Sequence, residues 1–182
     1  MSDKKDVTFK IIRDSRSRGS YKDKTLRQLD IIVFTNNVTG KTFTLYNSQT
    51  VVSNFKKDGN PKTDFTNTIR SNEDFTLQYL GNSPSSSRYK GPVFNVQNAN
   101  TDGLGMINEN GVDELDSIDL RPYRLHSNYD KNSNTILPMA SDGCPMYPYE
   151  QIKDFEDFLN ESNIKPGDVI KGRIEENVYY GP

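Results

Sequence analysis

The sequence contains few sulfur and imidazole groups: its 182 residues include one cysteine, one histidine and no tryptophan. A single cysteine excludes an internal disulfide framework and any zinc site built from several thiolates. No apolar run approaches the roughly 20 residues that a membrane-spanning helix requires, so we expect no membrane span. Residues 1–6 include neither an apolar segment nor a small-residue cleavage site, so we also expect no secretory signal peptide.

The charge is nearly balanced, with 23 Lys and Arg against 25 Asp and Glu. A dedicated nucleic-acid-binding domain normally has a basic surplus, so nucleic acid is not an expected partner. Hydrophobic residues make up only 32% of the chain, but ten Tyr and nine Phe can still supply a core. The length fits a single domain over residues 1–182.

Short segments rich in β-branched and aromatic residues predict a mainly β fold, β-sandwich or barrel-like, with one helix in the C-terminal half. The clearest signal is a hairpin in which Leu29 to Phe34 and Lys41 to Tyr46 flank a turn that contains Asn and Gly. Further strands are predicted at residues 7–12, 75–80, 92–96 and 168–174.

One helix is predicted, at residues 149–160, because four apolar residues there recur at spacings of three and four. These are Ile152, Phe155, Phe158 and Leu159. Polar segments predict loops at residues 53–72 and 81–91. Residues 13–20 are polar and basic, which favours a solvated loop over an anion-binding site.

The only histidine, His126, lies 18 residues before the only cysteine, Cys144. A thiol attacks as its thiolate, and a cysteine with a pKa of about 8.5 is only slightly ionised at neutral pH. A neighbouring imidazole raises that ionised fraction and can later protonate a leaving amine. Gly143 permits a tight turn that would point the backbone amides of Asp142, Gly143 and Cys144 at a developing oxyanion. The alternative interpretation is a buried, inert cysteine and a histidine without chemical function.

The sequence Ser141-Asp142-Gly143-Cys144, with a histidine upstream at a predicted strand end, resembles the L,D-transpeptidase catalytic domain. That family has a histidine at a strand end, a loop, and then Ser-His-Gly-Cys. A helix after the cysteine and a closing strand also suit the family. The resemblance covers about residues 29–175 and implies the L,D-transpeptidase catalytic fold for that core.

The resemblance implies a role for each matching residue. Cys144 would be the nucleophile, and His126 its general base and later its acid. The carbonyl of Ser127 would orient the imidazole, the amides of the turn would form the oxyanion hole, and Ser141 would support the thiol. No cofactor is implied.

The implied substrates are peptidoglycan stem peptides, attacked to form a thioester on the enzyme. Either Arg124 or Arg121 would anchor a substrate carboxylate, and Tyr123 would line the cleft; surface or core packing is the alternative for all three. Asp142 stands where the family has a second histidine. This change and the absent signal peptide favour hydrolysis, as a carboxypeptidase, endopeptidase or phage endolysin, over cross-linking. The enzyme would then act in the periplasm or cell wall after release or non-classical export.

A second hypothesis is a non-catalytic β-rich module, either a phage structural protein or a cell-wall-binding domain. In that case Asp142 and Met146 mark a lost activity. Metal sites are not expected. Residues 130–134 begin like a calcium loop, but Thr135 replaces the turn glycine and Ser141 the bidentate glutamate. The acidic residues between 113 and 119 favour a solvated loop.

Overall fold

A computed structural model describes residues 5–14, 29–51, 68–82, 87–102, 123–138 and 143–177. These residues are mainly β. The longer strands are β1 (Val7–Asp14), β2 (Asp30–Asn36), β3 (Thr42–Ser48), β5 (Asp74–Asn82), β6 (Pro92–Gln97), β8 (Arg124–Ser127) and β12 (Val169–Asn177). The two-residue strands are β4 (Thr68–Ile69), β7 (Thr101–Asp102), β9 (Tyr129–Asp130), β10 (Thr135–Ile136) and β11 (Met146–Tyr147). A 3₁₀ turn at Tyr149–Gln151 leads into helix α1 (Ile152–Glu161).

Eight strands form one sheet in the order β11-β8-β6-β5-β12-β1-β2-β3. The pairs β1–β12 and β8–β11 are parallel, and the other neighbours are antiparallel. The two outer strands meet at residues Gln49 and Met146, whose N–H groups each donate to the other's carbonyl oxygen at 2.9 and 2.8 Å. The sheet therefore curls into a nearly closed barrel, which confirms the predicted mainly β, barrel-like class.

The predicted hairpin is confirmed as β2 and β3. Its turn contains Gly40 at a φ of 76°, and the side chain of Asn36 accepts hydrogen bonds from the next residues of the turn. On β3, Leu45 is buried and Tyr46 is exposed, as alternation along a strand requires. The hairpin thus forms from local sequence signals.

The predicted helix is confirmed as α1 with its 3₁₀ turn, and its four periodic apolar residues are all buried. The ring of Phe155 is central to the core, because it contacts four aromatic rings from the sheet at 5.0 to 5.7 Å. They belong to Phe34, Phe43, Phe94 and Tyr147. The helix therefore packs its apolar side onto the sheet. No helix among the described residues is long and apolar enough to cross a membrane.

Gly172 in β12 permits close contact between neighbouring strands. It lies opposite Phe9 of β1 on one side and Phe75 of β5 on the other. The two phenylalanine rings meet with centroids 4.9 Å apart. A Cβ atom at position 172 would lie 2.1 Å from the Phe9 carbonyl oxygen and 2.6 Å from its ring. Only glycine leaves room for this pair.

Three loop expectations differ from the structure. Arg13, expected in a solvated loop, is fully buried at the end of β1, where its guanidinium donates to the carbonyl oxygens of Ile69 at 2.9 Å and Thr50 at 2.7 Å. These acceptors satisfy the buried charge. Residues 68–69, expected in a loop, form β4. The described part of the expected loop at 81–91 includes the buried residues Ser87 and Gly91.

Strand β1 lies within the sheet between β12 and β2. The sheet therefore includes residues before position 29, the expected start of the family-like core. Residues 15–20, 103–122 and 139–142 lie outside the described residues. The same is therefore true of Arg121, Ser141, Asp142 and the acidic residues between 113 and 119.

Candidate active site

The pairing of β8 with β11 brings the histidine and the cysteine segment together. His126 lies opposite Met146, and its N–H donates to the carbonyl oxygen of Pro145 at 3.2 Å. Cys144 precedes Met146 by two residues and is partly buried against the core. Given strand spacing of about 4.8 Å and about 3.3 Å per residue, continuing this extended pairing from Met146 to Cys144 places the Cα atoms of His126 and Cys144 about 8 Å apart. Their side chains can reach each other over that distance.

The orientation of the His126 ring is fixed by its own strand. His126 is 3% exposed, and its Nδ1 lies 2.7 Å from the carbonyl oxygen of Ser127. A carbonyl oxygen only accepts hydrogen bonds, so Nδ1 must carry the proton in this contact. The neutral ring then has an unprotonated Nε2, which is the form a general base requires.

Tyr89 is a site residue that the sequence did not predict. Its ring stacks on the His126 imidazole, with centroids 3.5 Å apart and planes inclined by 11°. Burial raises the pKa of Tyr89; the Arg88 guanidinium opposes this effect, while a negative charge on Cys144 raises the pKa further. The Tyr89 hydroxyl therefore stays protonated at neutral pH, and the thiol lies within electrostatic range of it.

The segment that carries Tyr89 is fixed by backbone hydrogen bonds to β9 and its turn. Tyr89 forms a bridge with Asp130, the N–H of Lys90 donates to Tyr129 at 3.1 Å, and the N–H of Lys131 donates to Arg88 at 2.9 Å. From β8, the hydroxyl of Ser127 donates to the carbonyl oxygen of Lys90. Ser127, which orients the imidazole, thus also binds the segment that carries the Tyr89 ring.

Gly143 is buried and has a φ of 122°, a backbone conformation that other residues avoid. The chain therefore makes a glycine-dependent turn directly before the thiol. This is the local geometry from which the Gly143 and Cys144 amides would form an oxyanion hole. Their role in binding an oxyanion stays a prediction.

The two described candidates for substrate binding occupy opposite faces of the sheet. Arg124 is half-buried on the same face of β8 as His126, because alternate residues share a face, and it lies opposite Asn95 of β6. Within the described chain its side chain makes no hydrogen bond or ion pair. Tyr123 is 8% exposed and belongs to the hydrophobic core, which is the packing role given as its alternative.

The described residues contain no group of three His, Cys, Asp or Glu side chains that could hold a metal ion. Residues 130–134, considered above as a calcium loop, connect the hairpin strands β9 and β10. Within this turn the Asp130 carboxylate accepts a hydrogen bond from the N–H of Asn132 at 2.9 Å, and Asn134 has a φ of 52°. The segment therefore forms an Asx turn.

A scan of protein-family models, a search of curated proteins and a search of solved structures each found no match to this chain.

Proposed function

We propose that this chain is a cysteine acyl-transfer enzyme that acts on peptidoglycan stem peptides, with a catalytic core like that of the L,D-transpeptidases. The observation that carries the proposal is the strand pairing that places the Cys144 segment beside His126, whose Nδ1 contacts the Ser127 carbonyl at 2.7 Å. A thiol beside an imidazole with a fixed tautomer is the arrangement that nucleophilic catalysis needs. Its location in the cell wall or periplasm is part of the same proposal.

The reaction begins when Nε2 of His126 takes the proton of the Cys144 thiol. The thiolate sulfur bonds to the substrate carbonyl carbon, and the carbonyl oxygen becomes an oxyanion that the amides of Gly143 and Cys144 stabilise. The intermediate collapses, the carbon–nitrogen bond breaks, and the leaving amine takes the proton from His126. A thioester remains on the enzyme.

The acceptor decides the product. Water attacks the thioester to give a shortened peptide, whereas an amine gives a cross-link or an exchanged amino acid; both release the Cys144 thiol. We favour hydrolysis, because Asp142 stands where the L,D-transpeptidases have a second histidine. Arg124 is the proposed anchor for a substrate carboxylate, since its guanidinium lies on the same sheet face as His126.

The decisive experiment is mass spectrometry of muropeptides after purified peptidoglycans with different stem peptides are incubated with the wild type or with Cys144→Ala. We expect shortened or uncross-linked products with the wild type only. Cross-linked or exchanged products would agree with the cysteine mechanism but would show that an amine, and not water, is the acceptor. Unchanged peptidoglycan of every stem composition would contradict the proposal and favour the binding module.

A second experiment tests the thiol directly, because Cys144 is the only cysteine and alkylation by iodoacetamide reports on it alone. We expect Cys144 to alkylate faster than free cysteine at pH 6 to 7, and His126→Ala to remove that advantage. The exposed Thr135→Ala, on the neighbouring hairpin, is the matched control and should alkylate like the wild type. A wild-type thiol as slow as free cysteine would argue against catalysis.

A further inference from the structure

The face of the imidazole is covered by the ring of Tyr89, while its edge is held by the Ser127 carbonyl. We propose that Tyr89 is a positioning residue that stabilises the protonated imidazole of His126 and thereby the thiolate of Cys144. This inference rests on the proposed function and adds to it the group that tunes the thiol–imidazole pair. Nothing in the loop-like sequence at 81–91 predicted this role.

The stacking contact with Tyr89 favours the protonated form of His126 over the neutral form. The face of an aromatic ring is electron-rich and attracts a cation, whereas a neutral imidazole gains only stacking and dispersion from the same contact. A centroid distance of 3.5 Å with an 11° inclination places the whole imidazole against that face. When His126 takes the thiol proton, its positive charge therefore forms in direct contact with the face of the Tyr89 ring.

Ser127 connects the imidazole of His126 to the segment that carries Tyr89. Its carbonyl oxygen accepts from Nδ1 of His126, and its hydroxyl donates to the carbonyl oxygen of Lys90, next to Tyr89. A shift of the Tyr89 segment would therefore break a hydrogen bond to the residue that orients the histidine. The hydrogen bond at the edge of the His126 ring and the stacking contact on its face therefore both depend on Ser127.

The charge of Arg88, beside the stack, is paired with the carboxylate of Asp130. Arg88 lies 5.1 Å from the centroid of the Tyr89 ring, and its guanidinium lies 3.7 Å from the Asp130 carboxylate. Asp130 therefore offsets a cation that would otherwise oppose a protonated His126. Within the described chain, the segments packed around His126 carry these charged or titratable groups: Arg88, Tyr89, Lys90, Tyr123, Arg124, Tyr129, Asp130, Lys131, Cys144 and Tyr147.

The test is the pH profile of Cys144 alkylation by iodoacetamide in the wild type and three variants at position 89. Tyr89→Leu removes the ring and Tyr89→Phe keeps it. Pentafluorophenylalanine keeps the shape of the ring but makes the electrostatic potential of its face positive. We expect Tyr89→Phe to match the wild type. The leucine and pentafluoro variants should raise the apparent thiol pKa by about 0.4 to 1.5 units, which at about 1.36 kcal/mol per unit is the usual range for a cation–π contact.

The comparison of phenylalanine with pentafluorophenylalanine keeps the test valid if the leucine variant fails to fold, because the two rings have nearly the same shape. Tyr129→Leu is the matched control, since Tyr129 lies on the adjoining hairpin and its ring contacts Lys90 and Tyr149. It should leave the profile unchanged. Equal profiles for the phenylalanine and pentafluorophenylalanine proteins would overturn the Tyr89 inference.

The two proposals fail in different ways. A wild-type thiol that is indifferent to His126→Ala would overturn the proposed function, and the inference with it. A thiol that is activated by His126 but keeps the wild-type profile in every Tyr89 variant would overturn the inference alone. A shift as large in Tyr89→Phe as in Tyr89→Leu would assign the effect to the hydroxyl and also contradict the stacking role.

Discussion

At the scale of single residues, Tyr147 joins β11 to β6 from within the core. It is fully buried, and its hydroxyl donates to the carbonyl oxygen of Pro92 at 2.6 Å. Burial raises the pKa of Tyr147 well above its usual value, and Tyr79 and Glu156 raise it further. Its phenol therefore stays protonated in the folded protein at pH values where the unfolded chain already ionises.

We expect Tyr147→Phe to lower the free energy of unfolding by about 1 to 2 kcal/mol at pH 7, because Pro92 loses its donor. The difference should shrink above pH 10. There the wild type loses up to about 1.4 kcal/mol per pH unit as its unfolded phenol releases a proton, and phenylalanine does not ionise. Urea unfolding at pH 7 and pH 11 measures both effects.

The control for this prediction is Tyr46→Phe, because Tyr46 is 57% exposed on β3. Its free energy of unfolding should equal that of the wild type at pH 7. A Tyr147→Phe protein whose deficit stays constant up to pH 11 would contradict the protonated, buried phenol.

The candidate site could be predicted from sequence only in part. His126 and Cys144 could be identified as candidates because each is the only residue of its type. Tyr89 is one of ten tyrosines, and its polar neighbours indicate an exposed loop. Its contact with His126 depends on hydrogen bonds to β9 that join residues some 40 positions apart, and no local pattern encodes such pairing.

At the scale of secondary-structure elements, β12 depends on one glycine. Gly172→Ala would place a Cβ atom 2.1 Å from the Phe9 carbonyl oxygen, and a backbone atom cannot move aside as the end of a flexible side chain can. We expect a loss of about 3 kcal/mol or more in unfolding free energy, the upper range for overpacking. Chemical denaturation measures it.

The neighbouring Lys171→Ala serves as the matched control, since Lys171 is exposed on the same strand. Its effect should stay within about 0.5 kcal/mol. If Gly172→Ala were as stable as the control, the close approach of β1 to β12 would be wrong.

The same elements show why some structure is predictable and some is not. The period of α1 and the turn of the β2–β3 hairpin are local signals, and both predictions were confirmed. Strands β4 and β11 have two residues each, too few to show alternation. The parallel pairing of β8 with β11 also has no turn signature, because parallel neighbours are joined by a crossover connection of about a dozen residues or more and not by a tight turn.

At the scale of the whole molecule, a buried polar network lies next to the closure of the barrel. The Asp30 carboxylate accepts hydrogen bonds from the N–H of Asp14 at 2.9 Å and from the N–H and hydroxyl of Thr50 at 2.9 and 2.6 Å. Thr50 follows Gln49, whose backbone bonds to Met146 join the outer strands. The network thus fixes the chain that closes the barrel.

Asp30→Asn keeps the shape of the side chain but replaces one carboxylate oxygen with an NH₂ group, which faces hydrogen-bond donors of Asp14 or Thr50. We therefore expect a loss of about 2 to 3 kcal/mol in unfolding free energy. Hydrogen exchange at Gln49 and Met146 should accelerate more than at Ile11 or Leu77 in the centre of the sheet, because among the described residues two backbone hydrogen bonds join the outer strands. Mass spectrometry of exchanged peptides measures both regions.

Asp74→Asn provides the control, since the Asp74 side chain is 84% exposed and such carboxylates contribute little to stability. Uniform acceleration across the sheet in Asp30→Asn would show that the network supports global stability without a special role at the closure.

The position of β12 between β1 and β5 has a consequence for synthesis on the ribosome. The meander of β1, β2 and β3 emerges first, but the inner edge of β1 acquires its neighbour only after β12, the last strand of the sheet, has been translated. Until then β1 presents unpaired peptide groups beside apolar side chains, which is the kind of edge that recruits other chains. The nascent protein thus depends on the translation of β12, or on a chaperone, to keep that edge from self-association.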